Sequence, residues 1–354
     1  MSGIEEIKIA GYRGIKSLEL SGLRRINMIL GNNNCGKSTV LEAILIGLVP
    51  SNALIPVQMN GYRNYFNFRK YDVALFFHNL DTDMPIIMDG LMSGGMPWNV
   101  NIKYFESERL NDESLLQDGS GLDATPTSRC GLLYNFSLGS EKYRSTIEFK
   151  KDPQSNNYKF SKNSTKKTRE SFKVDYVAPN YSFDRFIATF NNIVTENETE
   201  GIIRVLQNVE PRITGLAVAD GTVMANVGLK RMVPINMLGD GFKKLFAVLI
   251  AMYHVRGGML IVDEIDNGLY YKSMRTLWSA LLKAADELDV QVFASTHSKD
   301  SLLALKSVLT DELREQREDV KMFTLRKFKD DEVKAYAYDY EMFNHVLGQD
   351  IEIR

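Results

Sequence analysis

An α/β fold with a parallel sheet and crossover helices at its centre is predicted by three features of the sequence. Residues 30–39, LGNNNCGKST, place glycines and asparagines between an apolar run and a segment of helical periodicity. A fully apolar run, Met259–Val262, ends abruptly in Asp263 and Glu264. Around it, helix 241–255, strand 259–262, helix 273–288 and strand 290–295 alternate as β-α-β units do.

From the N-terminus, Ile4, Ile7 and Ile9, then Leu18 and Leu20, then residues 26–30 predict three short strands broken by Gly11, Gly14 and Gly22. Val40, Leu41, Ile44, Leu45 and Leu48 keep helical spacing over 38–49, and Pro50 closes that helix. Residues 51–130 mix Asn, Gly, Met and aromatic side chains without a clean period. Segments 132–136, 146–149 and 172–178 are expected as strands of an antiparallel sheet, with the polar stretch 152–170 as a hairpin tip or mobile loop. Residues 187–208 read as helical and 218–235 as further strands. After His297 a helix, two strands and a short terminal helix follow, and the charged run 311–319 reads as a solvated helix face and end.

Composition narrows the class. A chain of 354 residues is long enough for about two domains or lobes and for a large core without disulfide or metal staples. With 44% hydrophobic and 25% charged residues and a net charge of −2, nothing global favours nucleic acid, so such binding would rest on a local patch. Cys35 and Cys130 lack metal-like spacing and point to a reduced, cytoplasmic protein. The N-terminus lacks the apolar core of a signal peptide. The longest apolar run, 245–253, is less than half of the ~20 residues that cross a bilayer, so no membrane association is expected. Neither an internal repeat nor a heptad array is present, which argues against a long coiled-coil arm.

Gly31-Asn32-Asn33-Asn34-Cys35-Gly36-Lys37-Ser38 fits G-x-x-x-x-G-K-[ST], the phosphate-binding loop of P-loop NTPases. Its glycines let several backbone N–H groups converge on phosphate oxygens; Lys37 adds a positive charge, and the following helix presents unpaired N–H groups to the same anion. The Ser38 hydroxyl suits Mg²⁺, and Thr39 continues the loop into the helix. A simple Gly/Asn turn capping a helix would tolerate many residues at 37 and 38. The buried strand before Asp263 delivers that carboxylate to the metal, and Glu264, one residue later, is placed to polarise an attacking water as general base. The same two acids could merely terminate a core strand. His297 follows the next strand, where open α/β sheets place their ligands, and is placed to donate to a γ phosphate; a lone histidine is otherwise most often structural. Gly239-Asp240-Gly241, before an apolar helix, makes a second anion-binding helix end that a second chain could use.

Order and spacing of these motifs resemble the ABC-type AAA ATPases of the SMC, RecF and OLD (overcoming lysogenization defect) group. The resemblance covers residues 1–60 and 210–330 well. It implies a single ABC-type ATPase head over 1–354: a nucleotide-binding core from 1–60 and 210–330, an inserted β and helical lobe over 61–209, and a C-terminal tail over 331–354. It also implies ATP and Mg²⁺ as cofactors and a head-to-tail homodimer closed around ATP. Asn32, Asn33, Asn34, Cys35, Gly36, Lys37, Ser38 and Thr39 would hold the phosphates, with Ser38 and Asp263 on the metal. Gly239, Asp240 and Gly241 would form a loop acting on the partner's nucleotide, and Asp266, Asn267 and Gly268 would lie at the dimer seam. Arg13, in Gly11-Tyr12-Arg13-Gly14-Ile15, would lie near the nucleotide, although an arginine in a surface turn is the ordinary reading. Gly239 occupies the place of the signature serine of transporter ATPases, and neither Gln58 nor Gln117 follows a convincing strand as the metal-coordinating glutamine does in that class.

The resemblance extends to short ATPases of bacterial anti-phage systems, in which a separate effector acts: fewer than sixty residues follow His297, too few for a nuclease domain. A switch that holds or releases a partner protein is therefore the first expectation. The second is a DNA-repair or recombination clamp using Lys162, Lys166, Lys167, Arg169 and Lys173, residues that read otherwise as a solvated hairpin tip. The third is a scaffold that binds ATP with little turnover. A transporter subunit is disfavoured by the missing serine and glutamine.

Overall fold

A computed structural model describes residues 3–49, 52–63, 70–107, 129–151, 158–164, 172–329 and 332–348. The chain begins with β1 (Ile4–Tyr12), β2 (Ile15–Ser21), β3 (Ile26–Gly31) and α1 (Lys37–Leu48). Then come α2 (Ile55–Tyr62), two 3-10 turns (Lys70–Phe76 and His78–Leu80), and β4 (Ile86–Met92), β5 (Met96–Ser107), β6 (Arg129–Leu138), β7 (Glu141–Lys151) and β8 (Tyr158–Ser164). The next stretch is β9 (Val174–Val177), α3 (Asp184–Thr195), α4 (Thr199–Leu206), β10 (Gly215–Ala219), β11 (Thr222–Asn226) and β12 (Val233–Pro234). The remainder is α5 (Asp240–His254), β13 (Met259–Val262), α6 (Tyr271–Glu287), β14 (Gln291–Ser295), α7 (Lys299–Asp311), β15 (Val320–Lys327), β16 (Val333–Tyr338) and α8 (Tyr340–Gly348).

A six-stranded sheet in the order β16-β15-β3-β14-β13-β9 forms the centre, parallel throughout except for β16 at its edge. Strands buried on both faces read as near-continuous apolar runs, and that is why β13 and the stretches 28–30 of β3 and 292–294 of β14 are legible in the sequence. Their side chains divide by period two: Leu260 and Val262 join the core under α3, α5, α6 and α7, while Met259 and Ile261 join the core under α1. A second, seven-stranded antiparallel sheet, β2-β1-β4-β5-β6-β7-β8, closes over the other side of α1. Because α1 lies between two sheets, every residue from Val40 to Leu48 is buried, as expected of a helix apolar nearly all round. The third sheet, β10-β11-β12, packs beside α3 and α5. Gln291, fully buried at the start of β14, ties the two large sheets together: its Oε1 accepts from Ile4 N at 2.9 Å and its Nε2 donates to Ile4 O at 2.8 Å and Arg24 O at 2.9 Å.

Several expectations need correction. Segment 172–178 is not antiparallel: β9 pairs in parallel with β13, because the chain returns from the antiparallel lobe to the edge of the central sheet. Residues 158–164 form β8 rather than a loop tip, paired with β7; 152–157 and 165–171 lie outside the described residues. The helical stretch 187–208 is two helices, broken where Asn197 takes a φ of 60°. The aperiodic stretch 51–130 supplies α2, β4 and β5. The sheets do not follow a 61–209 lobe, since β1 and β2 belong to the antiparallel sheet and β9 to the central one. Residues 333–338 form β16, the edge strand of the central sheet and the second of the two strands expected after His297. The charged run 311–319 is a largely exposed helix end, as expected, that continues past α7 as a 3-10 turn, Arg314–Asp319, in which the uncharged Gln316 is buried. Among the described residues no helix is long and apolar enough to cross a membrane.

Candidate functional site

The loop between β3 and α1 is shaped by sterics at its two glycines. Gly31 has a φ of 135°, and a methyl group there would meet Leu325 O at 2.5 Å and Cys35 Sγ at 2.7 Å. Gly36 caps α1 in the left-handed region at φ 100°, where a side chain is disfavoured. Asn34 shares that region at φ 65°, which asparagine tolerates better than most residues. The result exposes Asn32, Asn33 and Asn34 and half-buries Lys37, Ser38 and Thr39. Lys37 Nζ folds over the loop, donating to Gly31 O at 2.8 Å and Asn32 O at 2.9 Å. Cys35 points inward; burial pushes its thiol pKa up, with Lys37 opposing, so it is a packing residue.

Lys37, Ser38 and Thr39 share with Asp263 and Glu264 a cleft of roughly 300 Å³, closed on its other sides by Glu42, Tyr62, Arg63 and Tyr176. Asp263 ends β13 and is buried; its Oδ1 accepts from Ser295 Oγ at 2.5 Å and its Oδ2 from Tyr176 Oη at 3.1 Å. Burial, reinforced by Asp263, holds the Tyr176 pKa well above its usual value, so that hydroxyl stays a donor. Ser295 Oγ also accepts from Glu264 N–H at 2.8 Å. Thus one hydroxyl at the end of β14 fixes both acids. Glu264 has a φ of 48°, a conformation that costs a non-glycine residue roughly 1–3 kcal/mol and clusters at functional sites. Ser38 and Asp263 provide hard oxygen donors at one cleft, a set that suits Mg²⁺, which is held by one or two carboxylates plus waters and phosphates rather than by a protein cage. Among the described residues no group of three or more His, Cys, Asp or Glu able to hold a metal occurs.

Arg13 is not a surface arginine. In a turn with φ 49°, it bends inward, donating from Nε to Tyr12 Oη at 2.9 Å and from a terminal nitrogen to Asn60 Oδ1 at 3.0 Å, and pairing with Glu42 at 3.2 Å. Glu42, the one acid on α1, also accepts from Arg63 at 2.9 Å and from Tyr12 Oη at 3.2 Å. This buried network lines a second cavity of roughly 440 Å³ beside Gly36 and Thr39, walled by Leu75, Phe77 and Leu80.

Gly239, Asp240 and Gly241 do not line the cleft of their own chain. They form the start of α5, where Asp240 is 77% exposed and pairs with Lys243 at 2.7 Å. Gly241 is packed by Leu269: a methyl group there would lie 3.1 Å from its Cδ2. The start of α5 and the turn 266–269 therefore make one outward surface, flanked by exposed Met237 and Tyr270. Asn267 is exposed, whereas Asp266 is buried with Oδ1 unpartnered. His297 is exposed in the turn before α7 and does not line the cleft. Gln58 lies on α2 and bonds Asn52; Gln117 lies outside the described residues, as do Lys166, Lys167 and Arg169. Lys173 is exposed before β9.

Sequence reasoning missed Glu42, Arg63, Tyr176, Ser295 and Lys244. Glu42 carried a signal, a charge within the apolar stretch 40–48, whereas Lys244, the second of two lysines that precede the apolar run 245–253, carried none. Tyr176 and Ser295 carried none, because their roles exist only through pairing of β9, β13 and β14.

Residues 26–304 match the family described as "AAA domain, putative AbiEii toxin, Type IV TA system". A protein of Helicobacter pylori named "ATP/GTP phosphatase" is 24% identical over 355 residues, covering 92% of either chain. The crystal structure of an SMC head bound to the C-winged helix domain of ScpA superposes with a TM-score of 0.51 at 13% identity, over 96% of this chain and 98% of that one. An Smc head domain with an extended coiled coil, bound to the C-terminal domain of ScpA derived from Pyrococcus furiosus, gives 0.50 at 11%, over 99% and 100%. At such identities the likeness is one of fold.

Proposed function

We propose that this chain, which belongs to the AAA-domain family matched over residues 26–304 and has the ABC-type ATPase fold of the SMC and RecF-like group, binds and hydrolyses nucleoside triphosphate as a dimerising switch. One observation carries the reading: Lys37 and Ser38 of the phosphate loop face Asp263 and Glu264 across a single cleft. Backbone N–H groups of residues 32–38 and the α1 end hold the β and γ phosphates, with Lys37 neutralising their charge. Ser38 and Asp263 would hold Mg²⁺, which supplies charge neutralisation on the phosphates when bound. Glu264, one residue beyond Asp263, orients and deprotonates the attacking water. His297, exposed beyond the end of β14 and outside the lining of the cleft, is assigned the γ-phosphate donor role from its place in the sequence pattern alone. The name of the Helicobacter pylori relative supports both ATP and GTP as substrates.

Gly239, Asp240 and Gly241, turned outward at the tip of α5, engage a second subunit's triphosphate, so two composite sites close in a two-fold dimer. A ligand that binds the closed state better shifts the population toward it, and loss of the γ phosphate reopens it. The partner controlled by this switch is a separate effector in anti-phage defence. The toxin–antitoxin description of the family supports that role.

Glu264→Gln tests the reading. With Mg·ATP it should abolish phosphate release and accumulate a dimer in light scattering. An unchanged release rate removes Glu264 from the chemistry, and monomers at saturating Mg·ATP remove the dimer.

A further inference from the structure

Lys244 lies one turn past Gly241 on α5, is only 2% exposed, and its ammonium makes no hydrogen bond. The group rests over the Tyr181 ring at 5.3 Å. Burial lowers its pKa to about 8, while Asp263, Asp266 and Glu264, in that order, pull the other way. Asp266 Oδ1, on the turn that follows Glu264, is buried and unpartnered as well. A lysine is almost never fully buried without a partner, and a helix that needed only packing here would carry an apolar residue. An ammonium and a carboxylate, both dry and both unsatisfied, on two facing elements are the parts of a contact that closes when either element moves.

The two elements have different jobs in the reading above. The N-terminal tip of α5, at Gly239 and Asp240, is turned outward toward the second subunit, whereas the turn 263–266 carries the chain's own general base. Because α5 runs unbroken from Asp240 to His254, a displacement of its tip carries Lys244 along. The acidic turn holds Glu264 at φ 48°, a strained geometry of the kind that clusters at active sites and switch regions.

We propose that Lys244 is a positioning residue that links the tip of α5 to the acidic turn of the same subunit, so that seating the tip on the partner's nucleotide draws Lys244 onto Asp266 and sets Glu264 for hydrolysis. This rests on the composite dimer proposed above. In a two-fold dimer each tip is seated by the other subunit's nucleotide, so hydrolysis at one composite site depends on occupancy of the other and the two sites fire cooperatively.

Lys244→Met keeps the volume and removes the charge. The expected result is a melting temperature at or above wild type at pH 7, ATP binding within about threefold of wild type, kcat down about tenfold or more, and a Hill coefficient falling to one. Lys244→Arg, which keeps the charge, should restore part of kcat and cooperativity. A Lys244→Met enzyme within about twofold of wild-type kcat would overturn the inference. So would a wild-type dimer without cooperativity, or melting temperature and kcat falling together in both variants, the mark of a packing role. The Glu264→Gln dimer is the control: if it does not form, the composite-site reading has failed; if it forms and Lys244→Met stays active, only the role of Lys244 has.

Discussion

Removal of one hydroxyl, Ser295→Ala, should disturb both acids at once. Ser295 is fully buried, donates to Asp263 Oδ1 at 2.5 Å and accepts from Glu264 N–H at 2.8 Å. The bond to a carboxylate is worth about 1.5–3 kcal/mol and the neutral one about 1. Freed of that tether, Glu264 can leave φ 48°, returning roughly 1 kcal/mol of strain. The net stability loss is then about 1.5–3 kcal/mol, read as a lower urea midpoint with an unchanged m-value. Asp263 keeps Tyr176, and the phosphate loop is untouched, so ATP affinity should stay within about threefold while kcat falls about thirtyfold as Glu264 loses its aim. Phosphate release and titration with a fluorescent nucleotide separate the two effects. A variant with wild-type kcat and an unmoved midpoint would refute the claim that this hydroxyl sets the acids.

Two further outcomes follow from other buried charges. Glu42, with its side chain 4% exposed, pairs with Arg13 and Arg63; Glu42→Ala takes the carboxylate from the largely buried Arg13, which keeps Tyr12 and Asn60, while the 43% exposed Arg63 turns to water, so the cost in denaturant melts should be about 2–3 kcal/mol. A loss under about 1 kcal/mol would show that the network is dispensable. Lys244 titrates at about 8 when folded, against an ordinary 10.5, so the unfolded chain binds the extra proton between those values and native stability should rise with pH across that window. Below pH 8 the full burden, about 3 kcal/mol, is present. The stability gap between Lys244→Met and wild type should therefore shrink as melts move from pH 8 to pH 10. A constant gap would mean that the ammonium is not desolvated in the native state.

The central sheet and its loops were legible because their signals are local. Residues 28–30 and Met259–Val262 are apolar on both faces, and the glycines at 31 and 36 take positive φ values that the G-x-x-x-x-G-K-[ST] pattern announces. Residues 86–107 were not legible, since β4 and β5 owe their state to cross-strand pairing with β1 and β6 rather than to a clean alternation. β9 could be recognised as a strand, yet its parallel sense depends on β13, more than eighty residues away. Of the site, the residues that face phosphate could be named from the motif. Those that hold them in place could not: Ser295 meets Glu264 only because β14 lies beside β13, and Arg13 turns inward only because Glu42 waits on α1.

The Gln291 amide fastens the first residues of the chain to the amino end of β14, while the nucleotide cleft opens at the carboxyl end, four residues further along and about 13 Å away at strand rise. A label carried at the Ile4 end of β1 would thus sit at the opposite end of β14 from the nucleotide cleft, which makes that end of the sheet the better site for reporting ATP-driven association without touching phosphate.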